Sequence, residues 1–182
     1  MGAALATIGI MGSGDELANP HKAEDAGRRV AEAGFHLLTG GGGGVMEAAS
    51  RGFASFEKRR GLAIGVLPAR HLGSPRTRQD YPNPFIDLAI RTHLEVSPDP
   101  DNLASRNPIN ILTADGLIFL PGSGGTAAEL ALAKKFSKPR ILLLDKGESI
   151  GELSAEALRQ AGENVAADQT DLDTFLRVIK RL

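Results

Sequence analysis

The residues of this chain that can do chemistry are grouped around its glycines. Of its 22 glycines, ten are concentrated in three clusters, at Gly12-Ser13-Gly14, at Gly40 to Gly44, and at Gly122-Ser123-Gly124-Gly125. A glycine admits left-handed backbone and lets an anion approach without meeting a Cβ. When a glycine turn joins a strand to a helix, the unpaired N–H groups of the first helical turn and the positive end of the helix point at one spot, which suits phosphate. Two runs have this form. Gly41, Gly42, Gly43 and Gly44 precede a helix opening Val45-Met46-Glu47, and Pro121 to Gly125 precede one opening at Thr126, whose hydroxyl adds a donor. Gly12 and Ser13 border the same space, with Ser123 as a loop donor. The plainer reading is that these glycines only permit tight connections, but a run of five costs backbone entropy that a simple turn does not require.

Ionisable groups near the loops are few. Glu129 lies three residues beyond Thr126, where a carboxylate can stabilise positive charge or activate water. The same Thr126-x-x-Glu129 spacing is that of a capping box, in which Glu129 bonds back to the Thr126 N–H. Glu47 falls in a first helical turn, where the dipole favours a carboxylate, and reads equally as a dipole partner or a site residue. Arg106 opens another helix, an unfavourable place for a cation, so it reads either as a surface arginine or as a residue held there for function.

Several chemistries are excluded. With no cysteine there is no disulfide, thiolate metal site or cysteine nucleophile. The histidines, His21, His36, His71 and His93, lack ligand spacing, so no metal site is expected. No Gly-x-x-x-x-Gly-Lys-Ser/Thr is present, which rules out a P-loop. Gly12-Ser13-Gly14 lacks the third glycine of a dinucleotide fingerprint, and the second strand ends Leu38-Thr39-Gly40 without an acid for a ribose. Gly122-Ser123-Gly124 falls short of a nucleophile elbow.

These loops must be held by strands and helices. Thr7–Met11, Phe35–Thr39, Leu62–Leu67, Gly116–Leu120 and Arg140–Leu144 read as buried strands. Helices are expected over Pro20–Ala33, closed by Gly34, and over Val45–Lys58, Ser105–Ala114, Thr126–Phe136 and Thr170–Arg181, with a short strand at Asn164–Ala167. Strands that are apolar along their length and alternate with helices make an α/β fold, a Rossmann-like doubly wound parallel sheet flanked by helices. Right-handed crossovers give the strand order 3-2-1-4-5. The strands ending at Thr39, Met11 and Leu120 are then neighbours, and all the glycine clusters fall at one sheet edge.

Between Pro68 and Asn102 the pattern loosens, with one strand-like run at Leu88–Val96. A stretch this long in a compact domain forms a lid or a wall of a site, and Arg70, Arg76, Arg78, Arg91 and His93 lie in or beside it. Residues 1–182 read as a single domain without repeat or linker. The net charge of −1 gives no nucleic-acid footprint or polybasic membrane patch, and no apolar run reaches the ~20 residues of a membrane span. A cytoplasmic location is the expectation.

Thr39-Gly-Gly-Gly-Gly-Gly-Val-Met-Glu47 and Pro121-Gly-Ser-Gly-Gly-Thr-Ala-Ala-Glu129 resemble the paired motifs of the LOG family, also called lysine decarboxylase-like. In the second motif only Ser123 departs from Pro-Gly-Gly-x-Gly-Thr-x-x-Glu. The family includes nucleoside 5′-monophosphate phosphoribohydrolases, and a close branch carries molybdenum cofactor. The resemblance implies hydrolysis of the N-glycosidic bond of a nucleoside 5′-monophosphate to free base and ribose 5-phosphate. It places catalysis on Arg106 and Glu129, requires no cofactor, and implies a homo-oligomer, dimer or tetramer. Arg106-Asn107 stands where the hydrolases of the plant-hormone type have Arg-Lys, and it resembles the molybdenum cofactor branch. Tyr81-Pro82-Asn83-Pro84-Phe85 resembles the bacterial nucleosidases. The alternative is a non-catalytic binder or carrier of molybdenum cofactor or another phosphorylated ligand.

Overall fold

A computed structural model describes residues 4–15, 20–69, 81–166 and 168–181. Its central sheet is made of β1 (Thr7–Met11), β2 (His36–Thr39), β3 (Ala63–Leu67), β4 (Leu88–Arg91), β5 (Gly116–Phe119) and β6 (Arg140–Leu142). All pairings are parallel, in the order β4-β3-β2-β1-β5-β6. This is the expected order with β4 added outside β3. The helices are α1 (His21–Ala33), α2 (Val45–Ala54), α3 (Asn107–Thr113), α4 (Gly124–Lys135), α5 (Ala155–Gln160) and α6 (Gln169–Ile179), and a small hairpin joins β7 (Ser149–Ile150) to β8 (Leu153–Ser154).

Strand parity sorts the core into two layers. Ile8, Ile10, Leu37, Ala63 and Ile118 face one side, where α1, α2 and α6 pack on them. Met11, Leu38, Val66, Leu117 and Phe119 face the other, under α3, α4 and α5. Helix α1 stops where expected: Gly34 is left-handed at φ 86°, and the N–H groups of Gly34 and Phe35 return to Ala31 O and Val30 O.

Other boundaries move, each for a local reason. Helix α2 ends at Ala54, not Lys58, because the Ser55 hydroxyl bonds the Gly52 carbonyl at 2.6 Å. That is the carbonyl a continuing helix would have offered to Phe56. The strand expected over Leu88–Val96 stops at Arg91. Its partner β3 ends at Leu67, and Thr92 closes the ladder by donating from both N–H and Oγ1 to Leu67 O. Helix α3 is shorter than Ser105–Ala114, with Pro108 tolerated in its first turn. Asn164–Ala167 makes a single bridge, Leu142 to Val165, with Ala167 outside the described residues. The β7–β8 hairpin and α5 were not anticipated. Among the described residues no helix is long and apolar enough to cross a membrane.

Candidate functional site

The order β2-β1-β5 brings the three glycine clusters together at the carboxyl edge of the sheet. They are also bonded to one another. The Ser13 N–H donates to Pro121 O at 3.1 Å, and the Val45 N–H donates to Ser13 O at 2.9 Å. The second loop is tied from behind by the hairpin: Gly122 N–H donates to Ser149 O at 3.2 Å, and Gly151 N–H to Gly122 O at 2.8 Å. The N–H groups of Ser13 and Gly122 therefore hold the scaffold. The groups left open include those of the helix ends.

Helix α2 begins after Gly44 and α4 after Ser123, and neither has a side-chain cap. Helices α1 and α3 also lack one, whereas Ser154 caps α5 by accepting from Ala157 N–H, and Asp168 caps α6 by accepting from Thr170 and Asp171 N–H. Helix geometry gives the N–H groups of Met46, Glu47, Gly124, Gly125 and Thr126 no partner within their own helices. Side-chain volume is missing in the right places. A Cβ on Gly125 would meet nothing within 4 Å, one on Gly124 only Pro98 at 3.8 Å, and one on Gly43 only Gly14 O at 3.6 Å.

Packing accounts for other glycines of the run. Gly44 has φ 61°, and a Cβ on it would strike the carbonyls of Ser13 and Asp15. A Cβ on Gly40 would strike the Arg106 guanidinium and the Met46 sulfur. Met46 is accordingly a nearly buried packing residue between Gly40 and Gly14. Thr126 is buried with its Oγ1 against Gly122.

Two buried ionisable side chains stand on the helices behind these loops, Arg106 at the start of α3 and Glu129 within α4. Arg106 is only 5% exposed, so the surface reading does not hold. Its guanidinium fills the space beside Gly40, Nη1 donates to Val66 O at 3.1 Å, and Nε has no partner among the described residues. Glu129 is 8% exposed. The capping box is not formed: α4 starts at Gly124, so Thr126 is inside the helix. Glu129 Oε1 instead accepts from Asn110 Nδ2 at 3.3 Å. Burial pushes the Glu129 carboxyl above its ordinary range, against the opposing pull of the Arg106 charge and the Asn110 bond.

Glu47 does not join this pair. It faces Arg51 at 3.8 Å, and Arg51 is bonded to Glu24, so Glu47 belongs to a helix-surface network. Arg91, the last residue of the edge strand β4, and His93 just after it are exposed, and Arg70, Arg76, Arg78 and His71 lie outside the described residues.

Two residues were missed by sequence reasoning. Asn110 is fully buried, one helical turn after Arg106, and its Oδ1 has no partner among the described residues. A polar side chain between Ile109 and Ile111, four residues from Arg106, was the available signal. Asn83 is buried against the first glycine loop.

A parallel sheet with helices α2 and α4 opening at its carboxyl edge, on strands β2 and β5 that flank β1, defines a Rossmann-like α/β domain. The chain belongs to the SLOG cluster4 family, whose model matches residues 5–172, and it stands near molybdenum cofactor carriers within this LOG-type group. It is 34% identical over 135 residues to an uncharacterized protein of Archaeoglobus fulgidus, covering 74% of this chain and 77% of that one. It is similar in structure to the molybdenum cofactor binding protein of Rippkaea orientalis, with TM-score 0.72 and 32% identity over 98% of this chain and 99% of the other. The molybdenum cofactor carrier protein of Chlamydomonas reinhardtii matches with TM-score 0.72 and 29% identity, covering 98% of this chain and all of the other (100%).

Proposed function

We propose that the chain binds a phosphorylated small molecule where α2 and α4 open together, and that it serves as a binder or carrier of a phosphorylated pterin of the molybdenum cofactor type. The observation that carries this reading is the pair of uncapped helix ends, with room for an anion above Gly43, Gly124 and Gly125. The likeness to the Rippkaea and Chlamydomonas proteins supports the choice of ligand. Under this reading the phosphate is held by backbone N–H groups and helix dipoles. With no cysteine in the sequence, no protein thiolate competes for the metal that such a cargo carries.

A second reading rests on Arg106 and Glu129. A buried carboxyl beside a buried guanidinium, close to a phosphate site, is the equipment for N-glycosidic hydrolysis of a nucleoside 5′-monophosphate. One pair of measurements separates the two. Wild-type and Glu129→Ala proteins are offered molybdenum cofactor, and in parallel AMP, GMP, CMP, UMP and IMP with free base as the readout. The carrier reading expects retention of the cofactor by both proteins and no base from either. Base release by wild type but not by Glu129→Ala would replace it with the hydrolase. Failure to take up the cofactor, with no base released, would remove both.

A further inference from the structure

The run Tyr81-Pro82-Asn83-Pro84-Phe85 supplies nothing to the helix ends, yet it lies on the first glycine loop. Asn83 is 2% exposed and binds that loop twice. Its N–H donates to Gly41 O at 2.8 Å, and its Nδ2 donates to Gly42 O at 2.9 Å. Its Oδ1 accepts the Phe85 N–H at 3.1 Å, which fixes which way round the amide sits. The Tyr81 ring covers Gly42 so closely that a Cβ there would run into it.

A trans peptide is planar, with its C=O and the following N–H on opposite sides. Anchoring the carbonyls of Gly41 and Gly42 to Asn83 therefore turns the N–H groups of Gly42 and Gly43 away from Asn83. Neither N–H has an acceptor among the described residues. The preceding N–H, that of Gly41, is taken by Thr39 Oγ1 at 3.0 Å. One side of the loop is thus satisfied by protein, and the other presents two successive open donors, the arrangement that makes an anion-binding concavity.

We infer that Asn83 is the positioning residue of the anion site, turning the first glycine loop into a one-sided donor surface so that Gly42 and Gly43 bind phosphate together with the first turns of α2 and α4. The inference rests on the phosphate-binding reading above and adds the residue that makes the loop competent. It also gives the Tyr81–Phe85 run a role that is independent of which phosphorylated ligand is carried.

The test is a titration of the ¹⁵N-labelled full chain with inorganic phosphate, following the amide resonances of Gly42, Gly43, Gly124 and Gly125. Wild type is compared with Asn83→Ala and with Asn83→Ser, whose hydroxyl can still accept the Phe85 N–H but which lacks the Nδ2 donor to Gly42 O and adds no charge. In wild type all four amides move. In the variants Gly43 loses its response, because the bond that turns its N–H is the one removed. Gly42 keeps a response through the surviving bond from the backbone N–H of residue 83 to Gly41 O, and Gly124 and Gly125 keep theirs. The phosphate Kd rises about tenfold, the loss expected for a hydrogen bond to a charged group. Thermal melts establish that each variant is folded, and Asn83→Ser decides the matter if Asn83→Ala is not. A Gly43 response equal to that of wild type in folded variants would overturn the inference. So would silence of those two amides in wild type while Gly124 and Gly125 respond. Silence at both loops in wild type would overturn the phosphate reading itself, and this inference with it.

Discussion

Glu129 carries the sharpest electrostatic question in the molecule. Its carboxyl is buried, and Arg106 and Asn110 compensate only part of the cost of its charge. A carboxyl whose folded pKa is raised stabilises the fold while it is protonated. That contribution is complete below its ordinary value of 4.5 and is lost as pH climbs through the raised folded value. Glu129→Gln keeps the shape and the acceptor for Asn110 while removing the titration. The expected result, read by thermal melts from pH 5 upward, is a flatter profile than wild type and equal or greater stability at pH 8. A variant less stable than wild type at pH 8 by more than about 1 kcal/mol would mean that the Glu129–Arg106 attraction outweighs desolvation. Arg106 and Glu129 were legible in sequence because both sit in a recognisable frame of neighbours. Asn110 and Asn83 were not, since their partners lie 19 and 41 residues away.

The sheet edge is held by one ion pair. Asp87, just before β4, is bonded by Arg59 Nη1 at 2.5 Å and Nη2 at 3.0 Å, and its Oδ2 also accepts the Ala63 N–H at 2.7 Å. Burial alone would raise the Asp87 carboxyl, but these bonds outweigh it and hold the group below its ordinary 3.8. Its stabilisation is therefore present at neutral pH and is lost as pH falls below that value. Asp87→Ala leaves the Ala63 N–H and Arg59 without their acceptor at the join of β3 and β4. It is expected to cost about 1–3 kcal/mol, measured by urea unfolding at pH 7. The loss should shrink in acid, and a loss that is independent of pH would show that Asp87 acts by packing. Strand and helix existence was legible from periodicity. Their ends were not, because a Ser55 hydroxyl or a Thr92 side chain chooses between competing carbonyls only once the partner is in place.

The two-layer architecture depends on how closely α1 and α2 approach. Gly27 of α1 lies against the Ala49 carbonyl, and Gly52 of α2 lies against the Glu24 carbonyl, so a Cβ at either would strike backbone. Glycine inside a helix normally loses about 1 kcal/mol to alanine, and on propensity alone Gly52→Ala would stabilise. Here the obstacle is a backbone carbonyl that cannot rotate away. Overpacking of this kind costs about 1–3 kcal/mol, and we expect it to win. For a chain of this length that is a fall of several degrees in Tm, read by calorimetry. A rise in Tm for Gly52→Ala would show that the helices can part without loss.

The amino-acid sequence was enough to establish the parallel sheet, its strand order and the meeting of the glycine clusters at one edge. These follow from short-range regularities: apolar runs, helix-ending glycines and the handedness of crossovers. The tertiary structure alone decided which donors of those loops are open. Ser13 and Gly122 spend their N–H groups on the scaffold, whereas Gly42 and Gly43 have theirs turned outward by Asn83. The physical reason is that a peptide group has one donor and one acceptor facing opposite ways. Which of them faces a ligand is settled by whatever distant segment takes the other.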